Sequence, residues 1–222
     1  MKVLALSSSP RRDGNSRMLA AAVLEGAAEA GHETALVDLD AVLGGFLRDC
    51  RTCRGPDGRC TIGDGYEDVL LEQVLPADAL VFATPLYWYG PSASLKAFID
   101  RFFCFISAEY PRNADVRAQL VGKRSVLVLS SEESYRGSAL GVIAQMQEMS
   151  RYLHHELVGV IHGIGNSRGE VVRDPADPLA QARLMGARLG ELRSTDHRID
   201  TIRSKVVWGA EPVTAATRDE AA

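Results

Sequence analysis

Lys2-Val3-Leu4-Ala5-Leu6-Ser7-Ser8-Ser9-Pro10-Arg11-Arg12-Asp13-Gly14-Asn15-Ser16 is the stretch that decides the fold. Lys2 to Ser8 is an apolar run with almost no alternation. A strand covered on both faces reads this way, as in a parallel sheet. A polar loop, Ser9 to Asn15, follows. Ser16 to Ala30 then reads as a helix, because Met18, Leu19, Ala22, Val23 and Ala27 recur at helical spacing. Gly31 is a C-terminal stop. His32 to Leu39 resumes as a strand. The opening segment is therefore a β-α-β unit, expected to cross over right-handed.

The alternation continues outward. Residues 40–65 are loop-like, Tyr66 to Leu75 is helical and Ala79 to Ala83 is a third strand. Ser92 to Phe105 is a helix with Leu95, Phe98, Ile99 and Phe102 on one face. Ser125 to Leu129 is a fourth strand, Gly141 to Leu153 a helix, Leu157 to Ile164 a fifth strand and Pro178 to Arg193 a last helix. This is the pattern of a doubly wound α/β domain with helices on both faces of a five-stranded parallel sheet. The domain is expected over residues 1–193. Residues 194–222 form a C-terminal extension with one short apolar segment, Lys205 to Trp208. Its last ~10 residues are expected to be disordered.

The 222 residues carry a formal net charge of -4. No basic run stands out, so neither nucleic acid nor an anionic membrane surface is an expected partner. No apolar stretch approaches the ~18 residues of a membrane span, and a cytoplasmic protein is expected. In that compartment the four cysteines, Cys50, Cys53, Cys60 and Cys104, suggest metal, redox or packing roles more than structural disulfides.

Between a first strand and a first helix, a phosphate site is cheap to build. The N–H groups of the helix start point outward and its dipole favours an anion. Ser9, Ser16, Asn15 and Arg11 add donors, and Gly14 lets the loop fold tightly. The alternative is a polar loop that only caps the helix through Asn15 or Ser16. The loop is neither G-x-G-x-x-G nor a Walker A loop. Ser9-Pro10-Arg11-x-x-Gly14-Asn15-Ser16 resembles the phosphate loop of the NADPH-dependent FMN reductase and iron–sulfur flavoprotein group, which has a flavodoxin-like fold. The resemblance implies that Ser9, Arg11, Asn15 and Ser16 hold the phosphate of FMN.

Thr84-Pro85-Leu86-Tyr87-Trp88-Tyr89-Gly90-Pro91 follows the third strand at its C-terminal end, where such sheets bind ligands. Three neighbouring aromatics suit a flat amphipathic ring, and Pro85 and Gly90 stiffen the loop. The alternative is an aromatic cluster packed under the next helix. The segment resembles the P-x-Y-W loop of the same family, which lies along the flavin. The motif continues through Ser92, Ser94, Leu95, Lys96, Phe98, Ile99, Asp100 and Arg101, with Asp100 and Arg101 expected to pair around the helix. Pro85, Leu86, Tyr87, Trp88, Tyr89 and Gly90 are thus flavin-binding candidates. The resemblance adds Ser131 and Glu132 after the fourth strand, beside Ser130. Tyr89 is the one candidate catalytic residue.

Cys50-x-x-Cys53 followed by Cys60 offers three thiolates, where a cluster or a structural zinc wants four. In the spacing of iron–sulfur flavoproteins the missing ligand falls at Pro56. Cys104 would complete a site only if the loop folded back on its helix, so a loop without metal is expected, and no iron–sulfur cluster. Relatives keep a segment matched here by Cys50, Cys53, Gly58, Cys60, Ile62 and Asp64. His154 and His155 are expected at the surface as partners of a helix C-terminus. His162 borders the cleft in one reading.

The family resemblance implies an FMN-dependent oxidoreductase using NAD(P)H to reduce flavin, quinone or a similar small-molecule acceptor. The alternatives are a flavin-dependent dehydrogenase of a small cyclic acid and an electron carrier without a substrate pocket. The family also implies a homodimer or homotetramer. Phe102, Phe103 and Phe105 cannot all face one core, so one is expected at such a contact.

Overall fold

The computed structural model describes residues 1–49, 52–107 and 109–193. The extension at 194–222 and Cys50 lie outside the described residues. The chain runs β1 (Lys2–Ser7), α1 (Asn15–Glu29), β2 (Glu33–Asp38), α2 (Tyr66–Val69), β3 (Ala79–Tyr87), β4 (Gly90–Pro91), α3 (Ala93–Ile106), α4 (Asn113–Leu120), β5 (Arg124–Ser131), α5 (Leu140–Tyr152), β6 (Glu156–Ile164) and α6 (Pro178–Ala187). Five strands are parallel in the order β2-β1-β3-β5-β6, and the two-residue β4 pairs antiparallel with β3. The order reverses between β1 and β3. A doubly wound sheet opens its ligand crevice at such a switch point, beyond the strand C-termini.

The missing alternation in the strands has a simple cause: both faces are covered. Val3, Ala5, Val81, Ala83, Val126 and Val128 belong to one core with α1 and α6. Leu4, Leu6, Leu80, Phe82, Leu127 and Leu129 belong to the other, with α2, α3, α4 and α5. Small side chains face the first layer and large ones the second. The first layer is therefore tight. A Cβ on Gly26 of α1 would lie 1.9 Å from the Arg183 carbonyl oxygen of α6, and one on Gly186 would lie 1.9 Å from that of Val23. Gly26→Val is accordingly expected to lower unfolding stability by about 1–3 kcal/mol, measured as a fall in the urea midpoint.

Several boundaries move. The third strand runs four residues past Ala83, because Pro85 sits near its end opposite Ser130 and Gly90-Pro91 folds back onto it. The helix over 66–75 starts as α2 and continues as a π-helical turn, Leu70–Val74. Helix α4 was not expected, since it buries only Val116 and Leu120. Gly14, not Asn15 or Ser16, is the N-cap of α1. Of the three phenylalanines, Phe102 and Phe105 are buried and Phe103 is half exposed. Among the described residues no helix is long and apolar enough to cross a membrane.

The histidines correct one expectation. His154 is exposed, but His155 is buried, with Nδ1 3.0 Å from Ser125 Oγ. Burial, reinforced by the nearby Lys123 charge, lowers its pKa to about 4. The unfolded chain takes up that proton near pH 6.5. Protonation therefore favours the unfolded state, and this share of stability declines as pH falls from about 6.5 towards about 4. His155→Leu should flatten that part of the profile of unfolding midpoint against pH; parallel wild-type and variant profiles would contradict it.

Candidate functional site

The β1–α1 loop, the β3–β4 hairpin and the loops after β5 and β6 meet at the C-terminal edge of the sheet. Ser8 N–H and Ser8 Oγ both donate to the Ala83 carbonyl at 2.9 Å, tying the first loop to β3. Asn15 Nδ2 donates to the carbonyls of Gly165 and Ser167, each at 2.9 Å, and its Oδ1 accepts from Val171 N–H. Gly165 N–H in turn donates to the Ser131 carbonyl. The Asn15 side chain thus fastens the α1 start to the loop after β6. What Asn15 offers a ligand is its backbone N–H.

The first loop has the features of an anion cradle. The N–H groups of Asn15, Ser16 and Arg17 have no acceptor among the described residues, as the first turn of a helix dictates. Ser16 Oγ is buried and also lacks a partner among the described residues, as does Ser7 Oγ. A buried hydroxyl left without a partner costs roughly 1–3 kcal/mol, and a phosphate oxygen at the helix start would satisfy it. Ser9 plays another part: its Oγ donates to the Arg11 carbonyl and accepts from Arg11 N–H. That turn shapes the loop. Its Oγ lies 2.2 Å from where a Cβ on Gly14 would be, so a larger residue there would displace the Ser9 hydroxyl from this turn. The Arg11 side chain is exposed at the rim.

The hairpin places three aromatics beside this cradle. Leu86 faces Pro91 and Tyr87 faces Gly90, which leaves Trp88-Tyr89 as a two-residue turn. Both have positive φ, 49° and 60°, as a type I′ turn requires. Asn-Gly is the usual sequence there, and a side chain in this region costs about 1–2 kcal/mol per residue. The hairpin base supports the strain: Thr84 Oγ1 accepts from Ser92 N–H at 2.9 Å and donates to the Pro85 carbonyl at 2.8 Å. Ser92 then caps α3 by accepting from Leu95 N–H. None of the three rings packs under α3. Tyr87 and Tyr89 are half exposed and Trp88 is 96% exposed. Backbone strain and exposed rings thus stand together at this strand end.

The loop after β5 closes the edge. Tyr89 Oη donates to Glu133 Oε1 at 3.4 Å, and the Glu133 charge, then Tyr135, raises the Tyr89 pKa. Glu133, one position beyond the expected Glu132, is the residue that meets the hairpin; Glu132 is exposed at the rim. Ser131 Oγ donates to the Glu133 carbonyl and lies 2.7 Å from His162 Nε2, so both serve to fix this loop. Tyr135, half exposed next to Tyr89, is the residue the sequence did not flag. Its only signal was an aromatic in a polar loop after a buried strand.

Arg101 does not pair with Asp100. Asp100 accepts from Lys96 Nζ on the helix surface, while Arg101 forms a two-point ion pair with Asp64, NH1 to Oδ2 at 2.5 Å and NH2 to Oδ1 at 2.9 Å. Arg101 also lies 4.3 Å from the Tyr66 ring centre. Burial would raise the Asp64 pKa, but Arg101 and the N–H groups of Gly44 and Tyr66 together hold it below the ordinary carboxylate value.

The comparisons agree with this architecture. A family model, Flavodoxin_2, described as a flavodoxin-like fold, matches residues 1–173. The chain belongs to this family. A Bacillus subtilis protein with the provisional name NAD(P)H-dependent FMN-containing oxidoreductase YwqN is 29% identical over 185 residues, 83% of this chain and 97% of its own. Iron-sulfur flavoprotein MJ1083 of Methanocaldococcus jannaschii is 36% identical over 102 residues, 46% of this chain and 51% of its own. The solved NAD(P)H:quinone oxidoreductase of Methanothermobacter marburgensis superposes with a TM-score of 0.60 at 21% identity, covering 87% of this chain and 99% of that one, a likeness of fold.

Proposed function

We propose that this chain is an FMN-dependent oxidoreductase that accepts a hydride from NAD(P)H and reduces a quinone or similar small-molecule acceptor. The observation that carries the proposal is the partnerless buried hydroxyl of Ser16 at the α1 start, set beside the exposed aromatic hairpin. A phosphate oxygen would take the Ser16 hydroxyl and the first-turn N–H groups, and Arg11 would add charge from the rim. Tyr87, Trp88 and Tyr89 would cover a flat ring and exclude water from it. Bound FMN supplies the two-electron chemistry. Tyr89, kept protonated beside Glu133, would hold an acceptor oxygen by turning its one phenolic proton from that carboxylate to the acceptor. The names of the B. subtilis relative and of the archaeal quinone reductase support the same reading.

The test is direct. The purified chain should absorb near ~450 nm and oxidise NAD(P)H in the presence of a quinone. A protein that takes up no added FMN overturns the proposal. One that binds FMN without turnover is a carrier.

The family reading extends to assembly, with a second copy covering the groove between α3 and α5. That groove holds about 540 Å³ and is lined by Leu47, Ile99, Phe102, Phe103, Met149 and Tyr152 among others. Phe103→Glu should shift the chain to a monomer in light scattering.

A further inference from the structure

The loop between β2 and α2 does fold back on α3, and it brings three thiols together. Residues 53–61 form a small hairpin. Thr61 N–H donates to the Cys53 carbonyl at 2.9 Å, Gly55 N–H donates to that of Arg59, and Arg54 bridges to Cys60. Cys53 and Cys60 thus stand on facing arms, and Pro56 lies in the turn between them. Gly58 docks the turn on the segment after α3. It has φ +78°, and a Cβ there would lie 2.0 Å from the Glu109 carbonyl oxygen. Arg54 completes the attachment, donating to the carbonyls of Gly58 and Cys104 and to Ser107 Oγ. Cys104, buried on α3, completes a trio whose Sγ atoms all lie within 4.8 Å of one another.

That spread discriminates between chemistries. Thiolates about 2.3 Å from one ion cannot lie more than about 4.6 Å apart, and a tetrahedral pair lies near about 3.8 Å. A contraction of about 1 Å at most brings the trio onto a single ion. A four-iron cluster, with each thiolate on a different iron, holds its thiolate sulfurs farther apart than a single ion does. Soft sulfur donors in tetrahedral array select zinc among the common divalent ions.

We propose that Cys53, Cys60 and Cys104 bind one Zn²⁺ ion as thiolates. Binding releases the three thiol protons to solvent and involves no change of oxidation state. Ten residues of α3 separate Cys104 from Ser94, about 15 Å along the helix, so the site is separate from the aromatic hairpin. Its role is structural: the ion pins the 53–61 hairpin to α3.

Co²⁺ is the probe. The reduced full-length chain should take up one Co²⁺ per chain, with intense sulfur-to-cobalt absorption in the near ultraviolet, and one equivalent of Zn²⁺ should displace it. C53S, C60S and C104S should each weaken Co²⁺ binding at least about 100-fold, more than loss of a supporting contact would. Circular dichroism reports whether each variant folds. Alkylation of the wild type covers a variant that does not: Zn²⁺ should protect Cys53, Cys60 and Cys104, and a chelator should expose them. No Co²⁺ uptake, uptake unchanged in C104S, protection that omits Cys104, or stoichiometric iron with acid-labile sulfide would each overturn the proposal.

Discussion

Replacing Asp64 with Ala is expected to lower unfolding stability by about 3–5 kcal/mol, the range for breaking a buried ion pair from one side. The side chains of Arg101 and Asp64 are 1% and 5% exposed. In the variant the guanidinium keeps its charge, has no carboxylate to meet and stays buried. Its Nε already lacks a partner among the described residues. Two N–H donors, Gly44 and Tyr66, lose their acceptor as well. The double variant Asp64→Leu with Arg101→Met should recover much of the loss, because removing both charges removes the desolvation problem. The pH dependence has a definite sign. Asp64 is held below its unfolded value, so its contribution is complete above about pH 4 and is lost as pH falls further. Denaturant titrations at pH 7 decide the matter: a loss under about 1 kcal/mol would show that the pair carries no such weight.

Ser16→Asp is expected to separate FMN from riboflavin. A carboxylate in the first turn suits the helix dipole, so the fold should hold. The same carboxylate occupies and repels the position of a phosphate. The variant also loses the hydroxyl and the use of neighbouring N–H groups, charge-assisted bonds of about 1.5–3 kcal/mol each. Loss of two corresponds to at least about 100-fold in FMN affinity. Riboflavin, which lacks the phosphate, should bind wild type and variant alike. Equal weakening of both ligands by fluorescence titration would mean that the loop acts on the ring or on the fold, not on the phosphate.

What the sequence discloses follows from range. The β-α-β opening was legible because strand, loop and helix signals are local, and the uniform apolarity of Val3–Leu6 reports a strand covered twice. The loop that carries the candidate anion site was legible for the same reason. Contacts between distant segments were not. Asp64 and Arg101 are 37 residues apart, so Asp100, adjacent in sequence and on the same helix, looked the nearer partner of Arg101. Asn15 looked like a ligand because an amide near a helix start so often is. Its partners lie 150 residues on. Cys104 was discounted because nothing in residues 50–60 says where their hairpin lands; the fold, through Gly58 and Arg54, supplies that. Helix α4 has too narrow an apolar stripe to register. At the hairpin, Pro85 argued for a loop, whereas near a strand end its missing N–H is tolerated.

The hairpin tip has an optical consequence. The chain has two tryptophans, and Trp88 stands almost wholly in water on a two-residue turn. Its emission should be that of a hydrated indole, red-shifted and strong. A flavin seated beside it would quench that emission by energy transfer and ring contact. On the proposed reading the turn beside the flavin thus carries its own fluorophore, and FMN binding should be seen as a fall in that emission without a label.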